Sequence, residues 1–253
     1  MVDIHSHILW GLDDGAKTMD DSLAMVRMAA AAGTTDIVAT PHASYEYHFD
    51  VDLVEQKLKE LQTACGPAPA LHYGCDFHLM FENIEDALQH PRKYTINHGN
   101  YLMVEFSDAV IAPNMSHVLQ RLGAAGIRPV ITHPERNSVL QRTPKMLDGF
   151  FEIGCLVQVT AQSLTGLFGR QAEQAAWKLM ERGMVHFVAS DAHETARRTT
   201  DMRQAWKAVA ERFGPERAEQ LLDSNPAAAV RSESLPFETF ELDKMKKKWY
   251  QLW

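Results

Sequence analysis

Seven short runs of β-branched and other apolar residues recur along the chain, at 2–4, 36–40, 70–73, 101–106, 129–132, 156–160 and 185–189. Within each run the hydrophobicity is nearly continuous rather than alternating, which suits a parallel strand covered on both faces. Between the runs the apolar positions fall at helical spacing, so the order reads strand, helix, strand. The punctuation agrees. Thr18 and Asp21 make a capping-box pattern ahead of 23–32 with Gly33 as a left-handed stop, Asn114 precedes a helix ending near Gly126, and the helix over 171–182 closes at Gly183. Helical patterning continues over 201–213 and 215–222. Repeated βα units of this kind predict an α/β fold, a seven-stranded variant of the eightfold barrel.

Polar residues take over where the runs stop, and they are of one chemical kind. His5 and His7 follow the first run, His42 the second and Asp76 the third; Glu105 ends the fourth, His133 follows the fifth, and Asp191 with His193 follows the seventh. In a parallel barrel the C-terminal strand ends meet at one mouth, where such folds build their active sites. Residues far apart in sequence are therefore expected to be neighbours there. His5-x-His7 points two imidazoles the same way if the strand runs through them, and Asp191-x-His193 repeats the spacing. A mixed imidazole and carboxylate set suits zinc, iron or manganese, and it is unlike the all-oxygen shell of calcium.

Length and composition narrow the setting. The chain has 253 residues, 45% of them apolar, enough for one sizeable core, and 1–253 reads as a single domain. Its tail over 235–253, with Lys244, Lys246, Lys247 and Lys248 ahead of Trp249, Tyr250 and Trp253, reads as a closing helix. Charges interrupt every apolar stretch well short of a membrane span, and the segment after Met1 lacks the pattern of a secretory signal, so a cytoplasmic protein is expected. The formal charge of −8 gives no general attraction to nucleic acid. Cys65, Cys75 and Cys155 form no CxxC pair, and six residues after each stand Leu71, Phe81 and Ala161 rather than the arginine of a cysteine-phosphatase loop. Thiolate chemistry is excluded on that ground, and the cysteines are expected to be small buried apolar residues.

Adjacent divalent cations bind phosphate oxygens, acidify a shared water and steady a leaving oxygen, so phosphoester hydrolysis fits this ligand set. Two arginines stand close enough in sequence to donate to a phosphate: Arg136, three residues past His133, and Arg198, five past His193. Asp13 and Asp14 precede Gly15 in a turn-like segment shortly after His7, which places their carboxylates near the same mouth. His48, His72, His90, His98, His117 and His186 have no matching spacing and read as ordinary surface or boundary residues. His78 is set apart from them only by lying two residues past Asp76.

The segments Asp3-Ile4-His5-Ser6-His7, Asp13-Asp14-Gly15, Thr40-Pro41-His42, Val104-Glu105-Phe106, Thr132-His133-Pro134-Glu135-Arg136 and Ala189-Ser190-Asp191-Ala192-His193 resemble, in order, the polymerase-and-histidinol-phosphatase (PHP) superfamily. More narrowly they resemble its bacterial capsule and exopolysaccharide branch of metal-dependent protein-tyrosine phosphatases, of CpsB/CapC type, over about Met1 to Pro226. That resemblance implies a distorted (β/α)7 barrel with three divalent metal ions, usually manganese, and removal of phosphate from the tyrosine-rich tail of a capsule-synthesis tyrosine kinase. It also implies homo-oligomers. Carried over by position, His5, His7 and Asp191 hold one metal, Asp14, His42 and His193 a second, and Glu105 and His133 a third, with Asp76 bridging and Arg136 and Arg198 on the phosphate. Two departures are visible: Asp76 stands where the family usually has the longer Glu, and Thr199 and Thr200 follow Arg198 where Pro is common. Two alternatives use the same residues: a phosphoesterase acting on a small phosphomonoester such as histidinol phosphate or on a nucleic-acid end, and a degenerate site that only binds the kinase.

Overall fold

The computed structural model describes residues 1–236. Nine strands are formed among the described residues: β1 (Val2–Ser6), β2 (Asp36–Ala39), β3 (His42–Ala43), β4 (Ala70–Tyr73), β5 (Asp76–His78), β6 (Tyr101–Glu105), β7 (Arg128–Thr132), β8 (Leu156–Thr160) and β9 (Phe187–Ala189). Every pairing is parallel. The ladders make two sheets, β1-β2-β4 and β3-β5-β6-β7-β8-β9. Along their far edge β9 and β1 are linked by one bridge, Ser6 to Ala192, with Asp191 N donating to His5 O at 2.8 Å and His7 N to Ala192 O at 2.8 Å.

The expected single ring of seven strands is corrected in one respect. Beyond the second and third runs the chain forms a further short strand each time, and the two added strands lie in a different sheet from the runs. Thr40-Pro41 separates β2 from β3, because proline has no N–H to continue a ladder. Gly74-Cys75 separates β4 from β5; a Cβ on Gly74 would lie 2.6 Å from Val38 Cγ1, so only glycine lets the two chain segments come this close. The pieces beyond the breaks keep the register of β2 with β4, His42 opposite Asp76 and Ala43 opposite Phe77, and β5 gains β6 as a second partner.

The helices follow the sequence signals. Thr18 and Asp21 form a reciprocal capping box at the start of Met19–Ala31. Gly33, Gly126 and Gly183 all take the positive φ that ends a helix in the left-handed region. Asn114 precedes Met115–Ala124 but makes no side-chain cap. After Pro215–Glu219 the chain passes through a π-helical turn, Gln220–Ser224, into Asn225–Val230. No helix among the described residues is long and apolar enough to cross a membrane. The tail expected over 235–253 lies outside the described residues, apart from a buried Leu235 and the exposed Pro236. Cys75 and Cys155 are buried as expected; Cys65 is half-buried, and all three are free thiols.

Strands β6 to β9 are apolar on both faces, which is why their sequences lack alternation. Leu102, Val104, Val157, Val159 and Val188 join the larger core cluster, while Tyr101, Met103, Leu156, Phe187 and Ala189 join a second, smaller one with Ala228 and Ala229. Because side chains alternate along a strand, Glu105 continues the face of Tyr101 and Met103. Likewise Ala43 and Phe77 belong to the larger cluster, so His42, Asp76 and His78 take the opposite face. The face that is apolar at the N-terminal ends of the strands thus becomes polar at their C-terminal ends. We expect Gly74→Ala to lower stability by about 1–3 kcal/mol through overpacking; an unchanged thermal midpoint would show that Val38 yields without cost.

Candidate metal centre

The residues singled out at strand ends converge. His5, His7, Asp76 and Asp191 are all buried, with at most 1% of their surface exposed. His5 Nε2 lies 3.5 Å from Asp76 Oδ2 and 3.5 Å from Asp191 Oδ1, and His7 Nε2 is 3.5 Å from the same Asp191 oxygen. His42 Nδ1 is 3.2 Å from Asp76 Oδ2, while Asp14 Oδ1 is 3.4 Å from His42 Nε2 and 3.2 Å from His193 Nε2. Glu105 Oε1 lies 3.5 Å from His133 Nε2. All nine positions therefore occupy one contiguous cluster.

Those spacings carry chemical information. With bonds of about 2.0–2.2 Å to a cation, neighbouring donor atoms of a tetrahedral or octahedral shell are roughly 3.0–3.5 Å apart. Both carboxylate oxygens of Asp76 are buried and make no hydrogen bond among the described residues. A carboxylate in that state is very costly unless a positive charge faces it. Three compact groups meet the distance requirement, with donor atoms within 4.8 Å of one another: His7, Asp14, His42 and His193; His42, Asp76, His78 and Glu105; and His5, His7 and Asp76. The residues present thus fit divalent cations of the imidazole- and carboxylate-binding kind. The assortment differs from the one the resemblance implied, since His7 lies with Asp14 as well as with His5, and His78 enters. Asp76, one methylene shorter than Glu, still reaches both His5 and His42.

Supporting hydrogen bonds fix the imidazoles. His5 Nδ1 faces Gln158 Oε1 at 3.0 Å, His7 Nδ1 faces Asp13 Oδ2 at 2.7 Å, and His193 Nδ1 faces Asp191 O at 3.0 Å. Each partner is an acceptor, so Nδ1 carries the proton and Nε2 keeps its lone pair turned into the cluster. Asp13 also accepts from Gly15 N at 2.9 Å and His42 N at 3.2 Å, which ties the loop after β1 to β3. Gln158 carried no sequence signal, because one glutamine in an apolar run has no spacing to recognise. Asp13 was marked only through its neighbour Asp14.

Backbone geometry aims two of the ligands. A regular pleat would put His133 on the face of Ile131, which belongs to the outer cluster, but His133 has φ 32°. Asp191 has φ 50°. Left-handed backbone at residues other than glycine costs about 1–3 kcal/mol each and persists where the surroundings require it. Glu135, buried beside His133, holds the turn by accepting from Thr160 N at 3.0 Å and Ser163 Oγ at 2.7 Å.

The arginines meet on one carboxylate. Arg198 Nη2 donates to Asp191 Oδ2 at 2.8 Å, and Arg136 Nη1 donates to the same oxygen. Asp191 therefore turns Oδ1 toward His5 and His7 and Oδ2 toward the guanidiniums. The ring of Phe168 lies under both, 4.3 Å from Arg136 Cζ and 5.9 Å from Arg198 Cζ. Arg198 Nε makes no hydrogen bond among the described residues.

Protonation follows the surrounding charges. Burial alone would push His7 down, but the Asp13 carboxylate holds it up at about 9. His42 is likewise desolvated yet held up at about 11 by Asp14 and Asp76. Burial and the Arg136 charge depress His133 well below its ordinary value, and burial with the nearby His7 charge takes His193 down to about 4. Burial and the Asp76 charge raise Glu105. The cluster concentrates carboxylates and draws protons onto His7 and His42 but not onto His133 and His193, as expected of a site built around cations.

The cluster opens on two cavities. One, of about 480 Å³, is bordered by Asp14, His42, Tyr45, Tyr47, His78 and Glu105; the other, also about 480 Å³, is bordered by Asp14, Lys17, His193 and Arg198. The family model for capsular polysaccharide synthesis, CpsB/CapC, matches residues 1–231. The chain belongs to the CpsB/CapC family. Among its relatives, the tyrosine-protein phosphatase YwqE of Bacillus subtilis is 31% identical over 93% of each chain, and the tyrosine-protein phosphatase CpsB of Streptococcus pneumoniae is 27% identical over 92% of this chain and 99% of its own. A solved structure from work on YwqE and CpsB, described as unique metal-dependent tyrosine phosphatases, superposes with TM-score 0.84 at 30% identity over 95% of this chain and 100% of that one. The phosphotriesterase homology protein of Escherichia coli shares the fold alone, with TM-score 0.59 at 11% identity.

We expect Asp13→Asn to weaken metal binding about 10–100-fold in a chelator competition while circular dichroism stays unchanged. Wild-type affinity in that variant would remove Asp13 from the account of His7.

Proposed function

We propose that this CpsB/CapC-family chain is a metal-dependent protein-tyrosine phosphatase. The observation that carries the reading is Asp76: a fully buried carboxylate whose oxygens make no hydrogen bond among the described residues, set between His5 and His42. Its relatives in Bacillus subtilis and Streptococcus pneumoniae are named tyrosine-protein phosphatases over nearly their whole length, which supports the substrate class. His5, His7, Asp14, His42, Asp76, Glu105, His133, Asp191 and His193 are the residues proposed to hold the cations. We take these to be three, with manganese first and zinc or iron next. Bound there, the cations supply Lewis acidity toward phosphate oxygens and an acidified water at neutral pH.

The chain's own residues do the rest. Arg136 and Arg198 are proposed to donate to the phosphate with planar guanidiniums, and Arg198 Nε makes no hydrogen bond among the described residues. Asp191 fixes both guanidiniums, so little rotamer freedom is lost when phosphate arrives. Tyr47, stacked on His42 with ring centroids 5.8 Å apart, and the exposed Tyr45 border the adjoining cavity, where an aromatic substrate ring finds an apolar edge. A departing phenolate, with an ordinary pKa of about 10, needs less protonation than an aliphatic alkoxide. No covalent phosphoenzyme is invoked.

The same reading takes the two sheets as a seven-stranded barrel distorted at Pro41 and Gly74, and the whole chain as one domain. It places the enzyme in the cytoplasm, acting on the tyrosine-rich tail of a bacterial tyrosine kinase in capsule or exopolysaccharide synthesis, as a homo-oligomer. Two measurements test it. Turnover of a phosphotyrosine peptide should vanish in chelator and return with manganese; full turnover in chelator would end the proposal. His133→Ala should lose more than about 100-fold in turnover while remaining folded, and wild-type turnover in that variant would remove His133 from the site.

A further inference from the structure

His78 has no task in the reading above, yet it stands inside the cluster. It lies two residues past Asp76 on β5, so both side chains leave the strand on the same face. The spacing is that of His5 with His7 and of Asp191 with His193. Parallel register sets His78 opposite Glu105 and His42 opposite Asp76. His78 Nε2 is 2.5 Å from Glu105 Oε2 and 3.2 Å from His42 Nδ1, and the donor atoms of His42, Asp76, His78 and Glu105 lie within 4.8 Å of one another.

His42 does not serve both neighbouring groups. A neutral imidazole has one lone pair and one N–H. His42 Nε2 faces Asp14, in the group with His193, so its Nδ1 is left as the N–H that faces Asp76 and Glu105. The side of the cluster formed by those two carboxylates then lacks an imidazole ligand from His42. His78 presents one there, while His133 approaches the other oxygen of Glu105 at 3.5 Å. The buried oxygens of Asp76, which make no well-formed hydrogen bond among the described residues, mark where positive charge is required.

We propose that His78, through Nε2, is a ligand of a divalent cation held with Asp76 and Glu105, at the edge of the cluster that borders the Tyr45 and Tyr47 cavity. The assignment rests on the metal-dependent reading of the site. With imidazole added to two carboxylates, this position suits zinc, manganese or iron(II) rather than calcium. The side chain of His78 is 31% exposed, so a cation held there is reached by solvent through this cavity.

The competing role for His78 is an ion pair that merely positions Glu105, and two substitutions in the full chain separate them. His78→Ala removes ligand and pairing together; His78→Gln keeps a hydrogen-bond donor for Glu105 but replaces the imidazole lone pair with a poor ligand. Metal content after equilibration with manganese or zinc, competition with a chelator, and the visible spectrum of the cobalt-loaded protein are the readouts. We expect both variants to lose affinity for one cation about 10–100-fold, to leave the remaining cations unchanged, and to alter the cobalt spectrum. Affinity retained by His78→Gln but lost by His78→Ala would overturn the ligand in favour of a positioning hydrogen bond, and wild-type binding by both would remove His78 altogether. Activity is not the readout. A wild-type chain that binds cations without hydrolysing phosphotyrosine would refute the proposed function and leave this assignment standing.

Discussion

The structure is organised around the cost of burying Asp76. An ionised carboxylate taken out of water without partners is among the least favourable groups a protein can hold, and here both its oxygens are enclosed. Around it stand His5 at 3.5 Å and His42 at 3.2 Å, in geometry that does not satisfy it by hydrogen bonding. Such an arrangement is stable only with positive charge between the donor groups, which protons on the imidazoles or divalent cations supply. The supporting shell reads as preparation for the second case: Gln158, Asp13 and the Asp191 carbonyl each take an imidazole proton on the side away from the cluster.

Parallel strands make this concentration of polar groups compatible with a core. The face that carries Tyr101 and Met103 at one end carries Glu105 at the other, and the face of Phe187 and Ala189 leads on to Asp191. Apolar burial anchors each strand, and the strand ends then deliver ligands without a separate element. The breaks at Pro41 and Gly74 belong to the same design. Across both breaks the two segments keep one register, so that Ala39 lies opposite Tyr73 and His42 opposite Asp76. What is new beyond Gly74 is the second neighbour: among the described residues β4 pairs only with β2, whereas β5 pairs with β6 as well as β3 and sets His78 opposite Glu105.

Much of this was legible in the sequence because each kind of signal had a period. Continuous apolar runs marked the strands, Thr18 and Asp21 marked a helix start, and the polar residue after each run marked the ligand. What escaped lacked either a period or a rule. The pairing of β5 with β6 depends on which edge the chain finds beyond Gly74, and hydrophobicity does not encode it. Gln158 sits in an apolar run as a single polar residue. His78 shows the opposite failure: its i, i+2 spacing from Asp76 matches the other two pairs, but it lies five residues past the end of the apolar run, where no strand is expected. The grouping of ligands was the least legible feature, because it depends on distances of a few ångströms between loops.

The charge balance at the mouth decides how a phosphate is attracted. The chain carries a formal charge of −8, and its two mouth arginines are both engaged by Asp191 Oδ2. Two guanidiniums against one carboxylate leave a surplus of one positive charge, set beside Asp14, Asp76 and Glu105. Without cations, protons on His7 and His42 offset part of that carboxylate charge. Metal binding concentrates the attraction, since each divalent cation adds two positive charges where the carboxylates converge. Substrate binding and metal binding are in this way one electrostatic event. Arg136 and Arg198 give direction to an attraction whose strength comes from the occupied cluster, and Asp191 couples the two by touching both.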